Sequence, residues 1–191
     1  MATYIIYKPF NMLSQFTREA PHHVTLADLA FNFSKNVYPV GRLDADSEGL
    51  LILTDDKSLN AKLLNPKNKA PKTYWVQVEG VPTEKDLQPL KKGLTIKIKK
   101  KIHHTAPAKA SLLPETPNLP PRTPPIRFRK AIPTTWISLT ITEGKNRQVR
   151  RMCAAIGFPV LRLVRVGLAG SWYGKGLLED MNTGDVLVLD L

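Results

Sequence analysis

The chain has 191 residues, with 28 Lys and Arg against 16 Asp and Glu, so its formal net charge is +12. That length is typical of one domain, and a single cysteine, Cys153, excludes an intramolecular disulfide framework and a cysteine-cluster zinc site. The positive charge indicates a polyanionic partner, and nucleic acid is favoured over an anionic membrane because no basic amphipathic helix or long apolar run stands out.

The first half of the chain predicts strands separated by short helices. We expect strands over residues 3–7, 50–54, 72–79 and 94–98, because these runs are rich in β-branched, aromatic or aliphatic residues. Thr25 is the expected cap of a short helix over 25–30, and Asp55 and Asp56 precede a helix over 57–64 that Asn65-Pro66 ends. Residues 83–86 resemble a capping box that opens a helix toward residue 92.

The second half begins with a proline-rich segment, for which we expect an extended loop. This basic loop, placed at residues 106–126, is interpreted either as a spacer or as a segment that grips nucleic acid. A strand over 134–142, a helix over 146–156 and strands over 160–166 and 185–189 follow. Because the strands do not alternate regularly with helices, the fold class is α+β with a mixed, mainly antiparallel sheet.

The helix predicted over 146–156 has two different faces. Its buried stripe is expected to contain Val149, Met152, Cys153 and Ile156, which recur at helical spacing. Another face carries Arg147, Arg150 and Arg151 near the helix N-terminus, where positive charge is unfavourable. Either these arginines form a solvated basic face, or they meet a phosphate and a buried carboxylate.

The acidic segment at residues 41–50 is the expected source of that carboxylate. Asp46 and Ser47 are interpreted as turn-capping residues, and Glu48 also as structural. Asp44 follows the apolar Leu43 in a turn bounded by glycines, which makes it a candidate catalytic residue.

Other polar clusters are weaker candidates for a functional site. The adjacent histidine pairs at 22–23 and 103–104 are poorly placed to share a metal, and no glycine-rich phosphate loop is present. The basic run at residues 97–101 is either a charged strand end or loop, or a nucleic-acid contact.

Four ordered motifs together resemble the RsuA branch of pseudouridine synthases, over nearly the whole chain. They are Lys8-Pro9, the segment 41–54, Lys72-Thr73-Tyr74-Trp75-Val76, and the segment 143–152. The resemblance is greatest to family members that act on the large ribosomal subunit. It implies a catalytic domain of two lobes with the active site in the cleft between them, covering residues 1–191 and lacking the S4 RNA-binding domain found in many relatives.

The resemblance also implies a reaction and a set of residues. One uridine of 23S ribosomal RNA would be isomerised to pseudouridine without a metal or cofactor. Asp44 aligns with the catalytic aspartate, Tyr74 with the tyrosine that stacks on the base, and Arg150 with the arginine that pairs with the aspartate. The RNA-binding residues that it implies are Lys8, Arg42, Arg147, Gln148, Arg151 and Arg165.

We expect a cytoplasmic monomer. Two alternatives stay open at this point: an RNA-binding ribosome-assembly factor, or the same chemistry on 16S ribosomal RNA or tRNA. The intact set of Asp44, Tyr74 and Arg150 favours an enzyme over an assembly factor.

Overall fold

A computed structural model describes residues 1–127, 129–169, 178 and 180–189. Its strands are β1 (Thr3–Lys8), β2 (Met12–Leu13), β3 (Val24–Thr25), β4 (Tyr38–Pro39), β5 (Glu48–Thr54), β6 (Lys72–Glu79), β7 (Thr95–Ile98), β8 (Lys101–His104), β9 (Lys109–Leu112), β10 (Thr134–Ile141), β11 (Val160–Leu168) and β12 (Val186–Leu189). Its α-helices are α1 (Lys57–Leu64), α2 (Gln88–Lys92) and α3 (Gln148–Ala155), and single 3₁₀ turns form at Leu26–Asp28 and Pro66–Asn68. No described helix is long and apolar enough to cross a bilayer.

One large sheet organises the described residues. Its strand order is β12-β1-β5-β11-β6-β10-β9, and the short β4 also pairs with β5. The β5–β11 pair is parallel, whereas the other neighbouring pairs of this sheet are antiparallel. This topology confirms the prediction of an α+β fold with a mixed, mainly antiparallel sheet.

The two strands β1 and β5 are buried along their whole length. Their side chains alternate between two hydrophobic clusters, because successive residues of a strand point to opposite faces. Ile5 and Ile52 belong to one cluster, and Ile6 and Leu51 belong to the other. Burial on both faces explains why residues 50–53 of β5 are continuously apolar rather than alternating.

The predicted helix caps are largely confirmed. The Asp56 side chain accepts hydrogen bonds from the backbone N–H groups of Ser58 and Leu59, and α1 ends before Pro66. Thr25 caps a 3₁₀ turn, which is shorter than the predicted helix. The Thr83–Asp86 capping contacts form, but residues 84–87 make turns and α2 begins only at Gln88.

The structure also differs from the sequence-based expectation at α3 and within the proline-rich segment. Helix α3 begins at Gln148 instead of residue 146, because Arg147 adopts a left-handed conformation with φ 51°. Within the proline-rich segment, residues 109–112 are not loop but form β9, which pairs with β10. Ala110 in β9 is buried in the core, so this strand both covers an edge of β10 and contributes apolar surface.

Candidate active site

A cleft of about 640 Å³ opens beside the loop that precedes β5. Its walls come from that loop, the C-terminal end of α1, strands β6 and β11, and the residues that lead into α3. Among the side chains that line it are Arg42, Asp44, Tyr74, Arg147, Gln148 and Arg165. The cleft therefore brings together six of the predicted site residues, which are far apart in the sequence.

Asp44 lies in a turn that is held at several points. The Asp44 carbonyl accepts a hydrogen bond from the Ser47 N–H, at 3.0 Å. The preceding residue, Leu43, is buried, and its N–H and carbonyl both bond to the Ser14 hydroxyl, at 3.0 and 2.9 Å. The Asp44 side chain is nevertheless 38% exposed. A fixed backbone with an accessible carboxylate suits a group that attacks a bound substrate.

Asp46 is the centre of the ion-pair network beside this turn. Its carboxylate receives two hydrogen bonds from the Arg147 guanidinium, at 3.0 and 2.8 Å. The Arg150 Nη2 donates to the Asp46 carbonyl at 2.7 Å, and the Arg150 Nε lies 3.4 Å from the Asp46 carboxylate. Partial burial opposes ionisation of Asp46, but the hydrogen bonds from Arg147 and the charge of Arg150 hold its pKa below the usual range. Asp46 thus forms ion pairs with two arginines, which the turn-capping interpretation from the sequence did not include.

The arginine nearest to Asp44 differs from the one that the resemblance implies. Arg147 Nη1 lies 3.6 Å from the Asp44 Oδ2. Arg150 instead contacts Asp46, as described above. The left-handed backbone of Arg147 places its side chain in front of α3, where its guanidinium reaches both carboxylates.

Tyr74 and Arg165 face one another on neighbouring strands, β6 and β11. Both side chains line the cleft, although both residues are more than nine-tenths buried. The Arg165 Nε donates to the Leu50 carbonyl at 2.8 Å, whereas its Nη2 has no partner among the described residues. Burial lowers the pKa of Arg165, and Tyr74 opposes that shift. The unpaired Nη2 is a donor that a bound ligand could satisfy.

Three of the predicted RNA-binding residues occupy different environments. Arg42 is exposed, lines the cleft and donates a hydrogen bond to the Gln15 side chain. Gln148 lines the cleft but is buried, with its amide bonded to Glu143 and to the Lys145 N–H. Arg151 is not among the residues that line the cleft, and its guanidinium bonds to the Lys97 carbonyl at 2.9 Å.

The structure corrects the prediction that Lys8 binds RNA, because the Lys8 side chain is fully buried and not available to RNA. Its ammonium donates to the carbonyls of Pro9 and Met12, both at 2.7 Å, and of Ala45 at 3.3 Å. Ala45 lies between Asp44 and Asp46, so the hydrogen bond from Lys8 to the Ala45 carbonyl helps to hold the loop that carries both carboxylates. Burial lowers the pKa of Lys8 to about 7, although the neighbouring carboxylates favour its charged form.

A buried ion pair that the sequence did not predict lies next to this loop. Arg162 donates two hydrogen bonds to the Glu48 carboxylate, at 2.9 and 2.8 Å, and a third to the Pro120 carbonyl. An arginine inside an apolar strand was the signal that could have indicated a buried partner. Among the described residues, no group of His, Cys, Asp and Glu is arranged to hold a metal ion.

Comparison with known proteins agrees with this geometry. The model of the RNA pseudouridylate synthase family matches residues 2–155. The ribosomal large subunit pseudouridine synthase E of Vibrio vulnificus is 52% identical over 181 residues, covering 95% of this chain and 72% of the relative. The protein of the same name from Xanthomonas axonopodis pv. citri is 51% identical over 169 residues, covering 88% of this chain and 85% of the relative.

The fold is also shared with solved structures. A crystal structure of a pseudouridylate synthase superposes with a TM-score of 0.77 at 25% identity, covering 99% of this chain and 70% of the other. An H/ACA ribonucleoprotein bound to a substrate RNA matches with a TM-score of 0.53 at 15% identity, covering 87% of this chain and 47% of the other, which shows the fold alone. The family match over most of the chain, together with relatives above 50% identity, shows that the chain belongs to the RNA pseudouridylate synthase family.

Proposed function

We propose that this chain isomerises one uridine of the 23S ribosomal RNA to pseudouridine, with Asp44 as the catalytic aspartate. The observation that carries the proposal is the cleft of about 640 Å³, in which an accessible Asp44 shares the lining with Tyr74 and three arginines. The substrate class rests on relatives named as large-subunit enzymes, at 50–54% identity.

The chemistry requires the target base to leave the RNA stack. Flipping a nucleotide costs a few kcal/mol, and stacking on an aromatic ring such as Tyr74 recovers about 1–3 kcal/mol per base. The Asp44 carboxylate attacks the flipped nucleotide and the bond between uracil N1 and the ribose breaks. The detached base turns, C5 joins the ribose, the bond between the nucleotide and the Asp44 carboxylate breaks, and the C5 hydrogen leaves as a proton. Tyr74 is the proposed group that assists this proton removal.

The arginines have two proposed roles. Arg147 lies 3.6 Å from the Asp44 Oδ2 and helps to orient this carboxylate, while Arg150 holds the loop through the Asp46 carbonyl. Arg42, Arg147 and Arg151 are proposed to bind phosphates around the flipped nucleotide. The Arg165 Nη2, which has no partner among the described residues, is proposed to contact the bound nucleotide inside the cleft.

Both ends of the Gln148 amide are engaged within the protein, because its nitrogen donates to Glu143 and its oxygen accepts from the Lys145 N–H. We therefore propose that Gln148 shapes the cleft wall. Neither a metal nor a cofactor takes part in the proposed reaction. The proposed setting is the cytoplasm, where ribosomal RNA is made, and the proposed active form is a monomer.

The test is tritium release from 23S and 16S ribosomal RNA labelled at uridine C5. Isomerisation frees the C5 hydrogen, whereas binding alone does not. We expect release from 23S RNA with the wild type and none with Asp44→Asn, while the variant still binds RNA. Asp56→Asn is a matched control, since Asp56 caps α1 and does not line the cleft.

Three other outcomes would contradict the proposal. Equal rates for Asp44→Asn and the wild type would remove Asp44 from the mechanism. Release from 16S RNA alone would move the substrate to the small subunit. Tight binding without release from 23S RNA, either naked or within a ribosomal particle, would indicate an assembly factor.

A further inference from the structure

The β7–β8 hairpin forms a small sheet of its own next to the cleft. Its tip carries four exposed lysines at positions 97, 99, 100 and 101. Among the described residues, none of these ammonium groups forms an ion pair. The hairpin therefore concentrates unneutralised positive charge in one place outside the cleft.

The two faces of the hairpin differ in character. Ile96 on one face is buried in the core, and His103 on the same face bonds to Glu143 at 3.0 Å. On the other face, Lys97 is the cross-strand partner of Ile102, which is 78% exposed. Exposed aliphatic surface among lysines matches a ligand that is both anionic and flat-sided, as a nucleic-acid strand is.

Direct contacts join the hairpin to the wall of the cleft. His103 bonds to Glu143, and Glu143 bonds in turn to Gln148; both Glu143 and Gln148 line the cleft. Arg151 bridges from the other side, with its Nη1 on the Lys97 carbonyl at 2.9 Å and its Nε on the Asn146 carbonyl at 3.2 Å. Asn146 also lines the cleft, so the hairpin is held next to the proposed active site.

We propose that the β7–β8 hairpin binds the RNA strand that flanks the target uridine, through its lysines to phosphates and through Ile102 to a base. The partner is RNA rather than protein, because the free charge is uniformly positive and continues along Arg151 to the cleft. This inference rests on the proposed function, since it uses the cleft as the position of the target nucleotide.

The first experiment replaces the four lysines with glutamine, as K97Q/K99Q/K100Q/K101Q. The matched control, K35Q/K57Q/K85Q/K130Q, removes the same charge from exposed lysines that do not line the cleft. Binding of a naked 23S fragment is measured at several salt concentrations, together with KM and kcat for tritium release. All eight lysines are exposed, so both proteins should fold as the wild type does.

We expect the hairpin variant to raise Kd and KM at least tenfold and to change kcat by less than twofold. The slope of log K against log salt should become shallower by about 0.7 for each phosphate of a single strand that the variant no longer neutralises. A second variant, Ile102→Ser, should weaken binding without changing this slope, because it removes no charge.

The proposal is overturned if the hairpin variant and the control have the same Kd, KM and salt slope. A weaker affinity that is seen on a ribosomal particle but not on naked RNA would also overturn it, because the partner would then be a protein. Absence of tritium release from the wild type would contradict the proposed function instead, and the Kd comparison would still test the hairpin.

Discussion

Lys8 belongs to one of the motifs that carry the family resemblance, yet its side chain does not reach the protein surface. Its ammonium has no access to solvent and bonds to three carbonyls, one of them in the loop that carries Asp44. A buried ammonium is stable only where acceptors surround it. Lys8 therefore acts on the proposed nucleophile by positioning its loop, without a contact to substrate.

The burial of Lys8 predicts a pH dependence of stability. The folded-state pKa of about 7 lies below the ordinary lysine value of 10.5, so between these values the unfolded chain binds more protons. Below about pH 7, the folded protein carries the full unfavourable free energy of the buried charge. The free energy of unfolding should therefore rise with pH through this window. We expect urea denaturation of the wild type to show this rise between about pH 7 and pH 8.5.

Lys8→Met is the variant for this measurement. It should be less stable by roughly 1–3 kcal/mol for each carbonyl left without a donor, and it should lack the rise with pH. Lys35→Met, at an exposed position, should keep the wild-type profile. Parallel pH profiles for Lys8→Met and the wild type would contradict the assignment.

At the scale of elements, the ion pair between Glu48 and Arg162 links strands β5 and β11 to the proline-rich segment. Glu48 begins β5, Arg162 lies in β11, and the third Arg162 hydrogen bond goes to the Pro120 carbonyl. Arg122 adds to this attachment, since its guanidinium bonds to the Leu161 carbonyl and lies over the Phe10 ring. The proline-rich segment is thus attached to the sheet next to the loop that carries Asp44.

Glu48→Gln should destabilise the protein by about 3–5 kcal/mol, because it leaves the Arg162 charge buried without its carboxylate. The Glu48 and Arg162 side chains are only 1% and 9% exposed, so water cannot replace the missing partner. Urea denaturation measures the change, with the exposed Glu115→Gln as a control that should leave stability unaltered. A decrease below about 1 kcal/mol, as at a surface ion pair, would contradict the buried assignment.

For the whole molecule, part of the basic charge behind the net charge of +12 lies along the cleft and on the β7–β8 hairpin, on arginines and lysines from several segments. Such a surface binds RNA by releasing counterions, which makes the affinity depend on salt. The same charge does not select a sequence, since phosphate contacts position the protein and base contacts specify the site.

RNA binding by Asp44→Asn should therefore weaken steeply with salt. Between about 50 and about 200 mM salt, a protein with 6–10 phosphate contacts loses roughly 10³–10⁵ in affinity on duplex DNA, and single strands show a somewhat smaller slope. Fluorescence anisotropy with a labelled 23S fragment measures the slope without turnover. An affinity that does not change with salt would exclude phosphate contacts as the main source of binding.

Much of the local structure was accessible from the sequence. The alternation of β10, the apolar run of β5, the cap of α1 by Asp56 and the buried stripe of α3 follow from short-range periodicity and capping, and the structure confirms them. The family resemblance, which the comparisons confirm, depended on ordered local motifs. Such motifs are short runs of neighbouring residues, so they can be identified without knowing the fold.

The tertiary structure decided where each charged side chain lies. Lys8 and Arg42 are both basic residues of motifs that carry the family resemblance, yet the first is buried and the second exposed. Likewise, the pairing of Arg147 with Asp46 depends on a left-handed backbone that propensity does not predict. Burial and partner choice depend on contacts between residues about 100 positions apart, and the sequence pattern around a residue carries no record of them.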